Sequence, residues 1–148
     1  MTVYFDEIAV GETYVSSGRT VTEADITTFA GLSGDFNPLH TDEVWARANS
    51  PYDGRVAHGL LLLSISSGLR TSRLDDWHVQ AYLQVDRKMK APARPGNTVR
   101  ATSTVASLRP STSRPGSGIA VVEVTLENEH GETLQTGTDT FLVGGRDD

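Results

Sequence analysis

The chain has 148 residues, a formal net charge of −6 and no cysteine. This length suits one domain, residues 1–148, built on one core. The lack of cysteine excludes a disulfide frame, a thiolate metal site and a cysteine nucleophile, and the acidic balance with scattered basic residues leaves no basic face for nucleic acid.

The longest apolar run, Gly59 to Ile65, falls far short of the roughly 20 residues that cross a bilayer. The start, Met1 to Glu7, has neither the basic nor the apolar stretch of an export signal. A cytosolic, membrane-free protein is expected.

Along the chain, Thr13 to Ser17 reads as a short strand between Gly11 and Gly18. Thr22, with Asp25 three positions on, forms a capping box that opens a helix over 23–32, where Ile26, Phe29 and Ala30 fall at helical spacing. Gly34 releases the backbone and Pro38 holds Asn37 extended, so Ser33 to His40 is a shaped loop. Thr41, Asp42 and Glu43 then form the acidic first turn of a second short helix bearing Val44, Trp45 and Ala48, and residues 51–54 make a turn.

From 56 to 71 the chain is apolar on nearly every face, with four consecutive leucines, which predicts a helix buried on most sides. Gly59, Ser64, Ser66, Ser67 and Gly68 either let a sheet or a ligand approach its backbone or present a serine face that caps its own carbonyls. Period-two runs follow and predict four strands over 78–90, 97–108, 118–128 and 132–143. The separators are Pro95-Gly96-Asn97, a longer segment over 110–118 expected to move, and Asn128 to Gly131. Helices ahead of antiparallel strands give an α+β class, a sheet wrapped on one buried helix.

Asp35 and His40 stand five apart on the shaped loop. A carboxylate and an imidazole held this way can grip one water, one group taking a proton as the other gives one. The same residues could instead cap a turn and satisfy a backbone group. No Gly-x-Ser-x-Gly elbow is present for a serine nucleophile, and His78 and His130 fall at a strand start and a turn.

The string Ser33-Gly34-Asp35-Phe36-Asn37-Pro38-Leu39-His40, followed by Ala57-His58-Gly59-Leu60 and Ser67-Gly68-Leu69, resembles the signature of the MaoC-like (R)-specific enoyl-CoA hydratases, the hydratase 2 family. The resemblance covers about residues 20 to 72, and Ala91 to Thr98 follows the family outline further on.

It implies a hot dog fold, about five antiparallel strands around one long helix, here 56–71. It further implies that Asp35 and His40 bind and activate water, that Asn37 shapes the loop, and that Gly59 offers its amide to the thioester carbonyl. Ser67, with Ser66 as the competing alignment, becomes a positioning residue, and His58 joins the substrate-binding set. No metal and no cofactor are implied. The activity implied is reversible addition of water to a trans-2-enoyl thioester of coenzyme A or an acyl carrier, giving an (R)-3-hydroxyacyl thioester. The partner implied is a second copy of the chain, in a homodimer or higher assembly.

The chain departs from the family pattern at Arg87-Lys88-Met89-Lys90, where aromatic residues are common, and at Gly96-Asn97-Thr98 in place of Gly-Asp-Thr. Both touch the strands that shape the acyl pocket. Lys88, Lys90 and Arg94 read either as phosphate contacts or as a solvated basic face. The competing functions are a hot dog thioesterase and a non-catalytic thioester-binding partner.

Overall fold

A computed structural model describes residues 1–69 and 71–146. After a 3-10 turn at Phe5–Glu7, the elements are β1 (Thr13–Val15), β2 (Arg19–Thr20), α1 (Glu23–Ser33), α2 (Pro38–Thr41), α3 (Glu43–Asn49), α4 (Gly59–Gly68), α5 (Ser72–Asp75), β3 (Val79–Met89), β4 (Thr98–Pro110), β5 (Gly118–Asn128) and β6 (Thr133–Val143). The strands form one sheet in the order β1-β4-β5-β6-β3, with β2 also on β4, and every pair is antiparallel.

The period-two pattern sends Val99, Ala101 and Val105 of β4, Ala120, Val122, Val124 and Leu126 of β5, and Phe141 and Val143 of β6 to one buried face. Against that face lie Leu61, Leu62 and Ile65 of α4. Each such side chain contributes about 1.5–3 kcal/mol by leaving water. A curved sheet closed on one central helix is the hot dog architecture expected above. None of the helices among the described residues is long and apolar enough to cross a membrane.

The central helix is shorter than the 56–71 its composition predicts. Ala57 donates its N–H to the Ala93 carbonyl at 2.8 Å and Val56 donates to Leu39 at 3.2 Å, which holds residues 56–58 extended and starts the helix at Gly59. Burial on most sides also fails on one flank: Leu60 is 60 % exposed, and Ser64 and Ser67 face outward.

Two short elements, β2 and α5, escaped the pattern because two or four residues carry too little periodicity. β2 raises the sheet to six strands. The four long strands lie within two residues of their expected ends, with Pro110 closing β4. Its proline sits at a strand end, where a missing N–H costs no ladder bond.

Candidate active site

The loop between α1 and α3 is built from side-chain caps. Gly34 ends α1 in the left-handed region at φ 78° and donates to the Ala30 carbonyl. Ser33 Oγ donates to the Phe29 carbonyl at 2.7 Å and accepts the Asp35 N–H at 3.2 Å, and Asp35 Oδ1 in turn accepts the Asn37 N–H at 3.2 Å. Asn37 caps α2 by accepting the Leu39 N–H at 2.9 Å, with Pro38 in the first helical position, where its ring is preorganised. Asn37 therefore shapes the loop by capping one helical turn, and that turn carries His40. The expected loop over 33–40 accordingly ends in helix rather than in irregular chain.

This turn brings His40 back to Asp35, with Nε2 3.9 Å from Oδ2. The gap is too wide for a direct hydrogen bond, yet one water can reach both groups at about 2.8 Å. His40 Nδ1 lies 2.7 Å from the Val56 carbonyl. A carbonyl only accepts, so Nδ1 carries a proton and Nε2 is the nitrogen turned toward Asp35. The carboxylate is half exposed and the imidazole largely enclosed, with side-chain exposures of 52 % and 12 %.

His58 is buried behind this pair. Its ring stacks on His40 at a centroid distance of 3.8 Å and a tilt of 27°, and Phe29 meets its other side at 5.0 Å. Nε2 donates to the Asp35 carbonyl at 2.9 Å, so His58 props the backbone of the loop and leaves Nδ1 buried without a partner among the described residues.

Asp35, His40 and His58 each offer a ligand atom within 4.8 Å of the others, close enough in distance for a cation. The stacking opposes joint coordination. A metal must lie in the plane of each imidazole it binds, whereas these two rings lie face to face at 3.8 Å and 27°.

A cavity of about 270 Å³ opens beside His40, walled by Gly59, Leu62, Met89, Lys90 and Gln135. Gly59 is the first residue of α4, and its N–H has no acceptor among the described residues. Free amides at a helix N-terminus favour developing negative charge.

The Gln135 side chain, 1 % exposed, donates Nε2–H to the Gly59 carbonyl at 2.8 Å and leaves Oε1 without a partner among the described residues. Sequence reasoning missed Gln135. Its signal was a polar residue in phase with the inward-facing Phe141 and Val143.

Arg55 was also missed. Its guanidinium grips Glu23 of α1 through two bonds of 2.8 and 2.6 Å, and its Nε donates to Glu43 of α3 at 2.9 Å. The Arg55 N–H and Arg47 also donate to Glu43. These bonds hold the Glu43 carboxyl down to about 2, with the Arg55 amide the largest cause. Glu23 is lowered chiefly by Arg55, and Arg55 is raised chiefly by Glu23. The clamp sits one residue before the carbonyl that orients His40.

Of the remaining sequence-derived residues, Ser67 does not join this cavity. It lines a second one further along α4, as does Ser66, and Ser66 is the buried member of the pair. Lys90 lies in the wall beside His40, while Arg94 donates to the Tyr52 and Asp53 carbonyls and closes the turn there.

The MaoC like domain family profile matches residues 7–128. The (R)-specific enoyl-CoA hydratase of Rhodospirillum rubrum is 40 % identical over 107 residues, 72 % of each protein. The 3-hydroxybutyryl-CoA dehydratase of Methylorubrum extorquens is 32 % identical over 108 residues, 73 % of this chain and 67 % of that protein. Among solved structures, a monoamine oxidase regulatory protein from Archaeoglobus fulgidus superposes with a TM-score of 0.88 at 31 % identity, covering 96 % of this chain and 94 % of that one. With a profile match over residues 7–128, which take in both the loop and the central helix, this chain belongs to the MaoC-like domain family.

Proposed function

We propose that the whole chain, 1–148, acts as one cytosolic hydratase/dehydratase unit on acyl thioesters, adding water to a trans-2-enoyl thioester to give an (R)-3-hydroxyacyl thioester, or running in reverse. The observation that carries this reading is the Asp35–His40 pair, 3.9 Å apart, with His40 and Gly59 in the wall of one cavity. The relatives named as enoyl-CoA hydratase and hydroxybutyryl-CoA dehydratase support the same chemistry.

In this mechanism Asp35 and His40 hold a water between them. His40 Nε2 takes its proton as hydroxide adds to C3, and the electron pair of the C2–C3 double bond moves toward the thioester carbonyl. The Gly59 N–H stabilises the resulting oxyanion, and a proton returned to C2 completes the hydration. Gly59, Asn37, His58 and the Ser66–Ser67 turn serve as binding and positioning groups, and no metal or cofactor takes part. Lys90, in the wall of the same cavity, supplies a cation for a phosphate of the carrier in this reading.

The active assembly is a homodimer. β3 is an edge strand paired only with β6, and its Tyr82, Leu83 and Val85 are exposed, an apolar edge suited to pairing with a second copy. Sedimentation at micromolar concentration should give the mass of two chains, and a monomer would remove the dimer.

The enzymatic reading is tested with crotonyl-CoA. Loss of enoyl absorbance supports hydration, whereas thiol release would point to a thioesterase and no reaction to a binding protein. Asp35→Asn and His40→Ala should each lower hydration at least about a hundredfold, and unchanged turnover in both would remove the mechanism.

A further inference from the structure

A second cavity, of about 190 Å³, lies between the C-terminal half of α4 and the inner face of the sheet. It shares two walls with the His40 cavity. α4 gives Gly59 and Leu62 to the first and Ser66 and Ser67 to the second, while β6 gives Gln135 to the first and Asp139 to the second. Seven helical steps from Gly59 to Ser66 span about 10 Å. An acyl group whose thioester sits at the Gly59 amide thus has its far carbons at the second cavity.

The lining is not that of a plain alkyl slot. Val122, Val124 and Phe141 supply apolar surface, but Asp139 and Ser103, each 7 % exposed, share the wall. Arg87 Nη2 stands 2.7 Å from Asp139 Oδ1, close but not aligned as a hydrogen bond, and the Tyr82 hydroxyl donates to the same oxygen at 2.6 Å. Oδ2 accepts no hydrogen bond from the described residues, and Ser103 Oγ makes none with them.

A hydrocarbon tail would cover both groups and leave their hydrogen-bonding capacity unmet, which is costly in an enclosed site. The Arg87 ion pair offsets the charge of Asp139, so the complementary ligand group is neutral. An apolar cavity of about 150 Å³ admits benzene, so the space here takes a group of that bulk with a polar atom added.

We propose that this cavity receives the distal end of the acyl group and selects chains bearing a hydroxyl there, the hydroxyl donating to Asp139 Oδ2 and accepting from Ser103 Oγ. The inference rests on the hydratase reading for the position of the thioester, but its test is a binding measurement. Calorimetric titration of the full chain compares octanoyl-CoA with 8-hydroxyoctanoyl-CoA, neither of which can be hydrated.

The hydroxylated ligand should bind about tenfold more tightly. Ser103→Val, close in shape but without the hydroxyl, should bring the two affinities together, and Ser103→Ala should narrow the gap. Equal or weaker binding of the hydroxylated ligand, binding of neither, or a preference unchanged in both Ser103 variants that melt like the parent would overturn the proposal. A preserved preference with no hydration of crotonyl-CoA would sink the hydratase reading and leave the selectivity of the cavity standing.

Discussion

His40 and Val56 are joined at 2.7 Å, ring Nδ1 to main-chain carbonyl, and this contact decides which imidazole nitrogen faces Asp35. The Val56 carbonyl is itself held by its neighbour in sequence. Arg55 ties Glu23 on α1 to Glu43 on α3, so the two helices that flank the Asp35–His40 loop meet one residue before the acceptor of His40. Helix packing, ion pair and tautomer form one chain of cause.

Cutting that chain should show as misplacement rather than as lost binding. Arg55→Leu is expected to lower kcat by about 10- to 100-fold, through a shift of His40 of an ångström or less, with a smaller change in KM. Arg55→Lys should recover only part of the rate, because an ammonium cannot engage Glu23 bidentately. Steady-state kinetics on crotonyl-CoA check the split. An equal change in KM alone would mean that Arg55 serves substrate binding instead.

The same clamp makes the fold acid-sensitive in a stated window. Glu43 has its folded value lowered to about 2 from 4.5. A depressed carboxyl contributes stability that is fully present above its unfolded value and is lost as pH falls through the folded one. The loss from Glu43 therefore runs from about pH 4.5 down to about 2. Thermal melts across this range should fall more steeply for the parent than for Glu43→Gln, and the difference should shrink in high salt because the pair is partly exposed. Parallel curves would exclude the contribution.

The sequence was most legible where one physical signal dominates. Thr22 and Asp25 announce α1 because a capping box satisfies two orphan amides in both directions, and the alternation of β5 survives because one face is buried along its whole length. Residues 56–58 misled because their apolar character says nothing of the main-chain bonds to Leu39 and Ala93 that keep them extended.

The Asp35–His40 pair was legible through local stiffeners, Gly34, Asn37 and Pro38, all within the loop. Arg55 and Gln135 were not, because their partners lie 12, 32 and 76 residues away and no periodicity encodes such contacts.

The stacked arrangement of His40 and His58 predicts indifference to chelators. With the two imidazoles face to face rather than turned edge-on to a shared point, the purified protein should keep its hydration rate after exhaustive dialysis against EDTA. It should also carry well under one equivalent of transition metal by elemental analysis. A rate abolished by EDTA and restored by zinc would show that the rings rearrange around an ion, and would replace the proposed mechanism.

Gln135 offers the sharpest test of how the Gly59 amide is aimed. Its Nε2–H is the side-chain donor that fixes the first carbonyl of α4, and its Oε1 is already unpartnered. Gln135→Leu keeps the bulk and forfeits one hydrogen bond, at a stability cost of about 1–2 kcal/mol. It should nevertheless lower kcat about tenfold by loosening the peptide that faces the developing oxyanion. Gln135→Glu should fare worse on both counts, since a buried carboxylate facing the Gly59 carbonyl cannot donate unless it is protonated. Turnover should then recover in part as pH is lowered. Melting curves and kcat measured together on the two variants separate the effects: a loss of stability with unchanged kcat would confine Gln135 to the core, and a kcat that falls in the folded Leu variant would place it behind the thioester carbonyl.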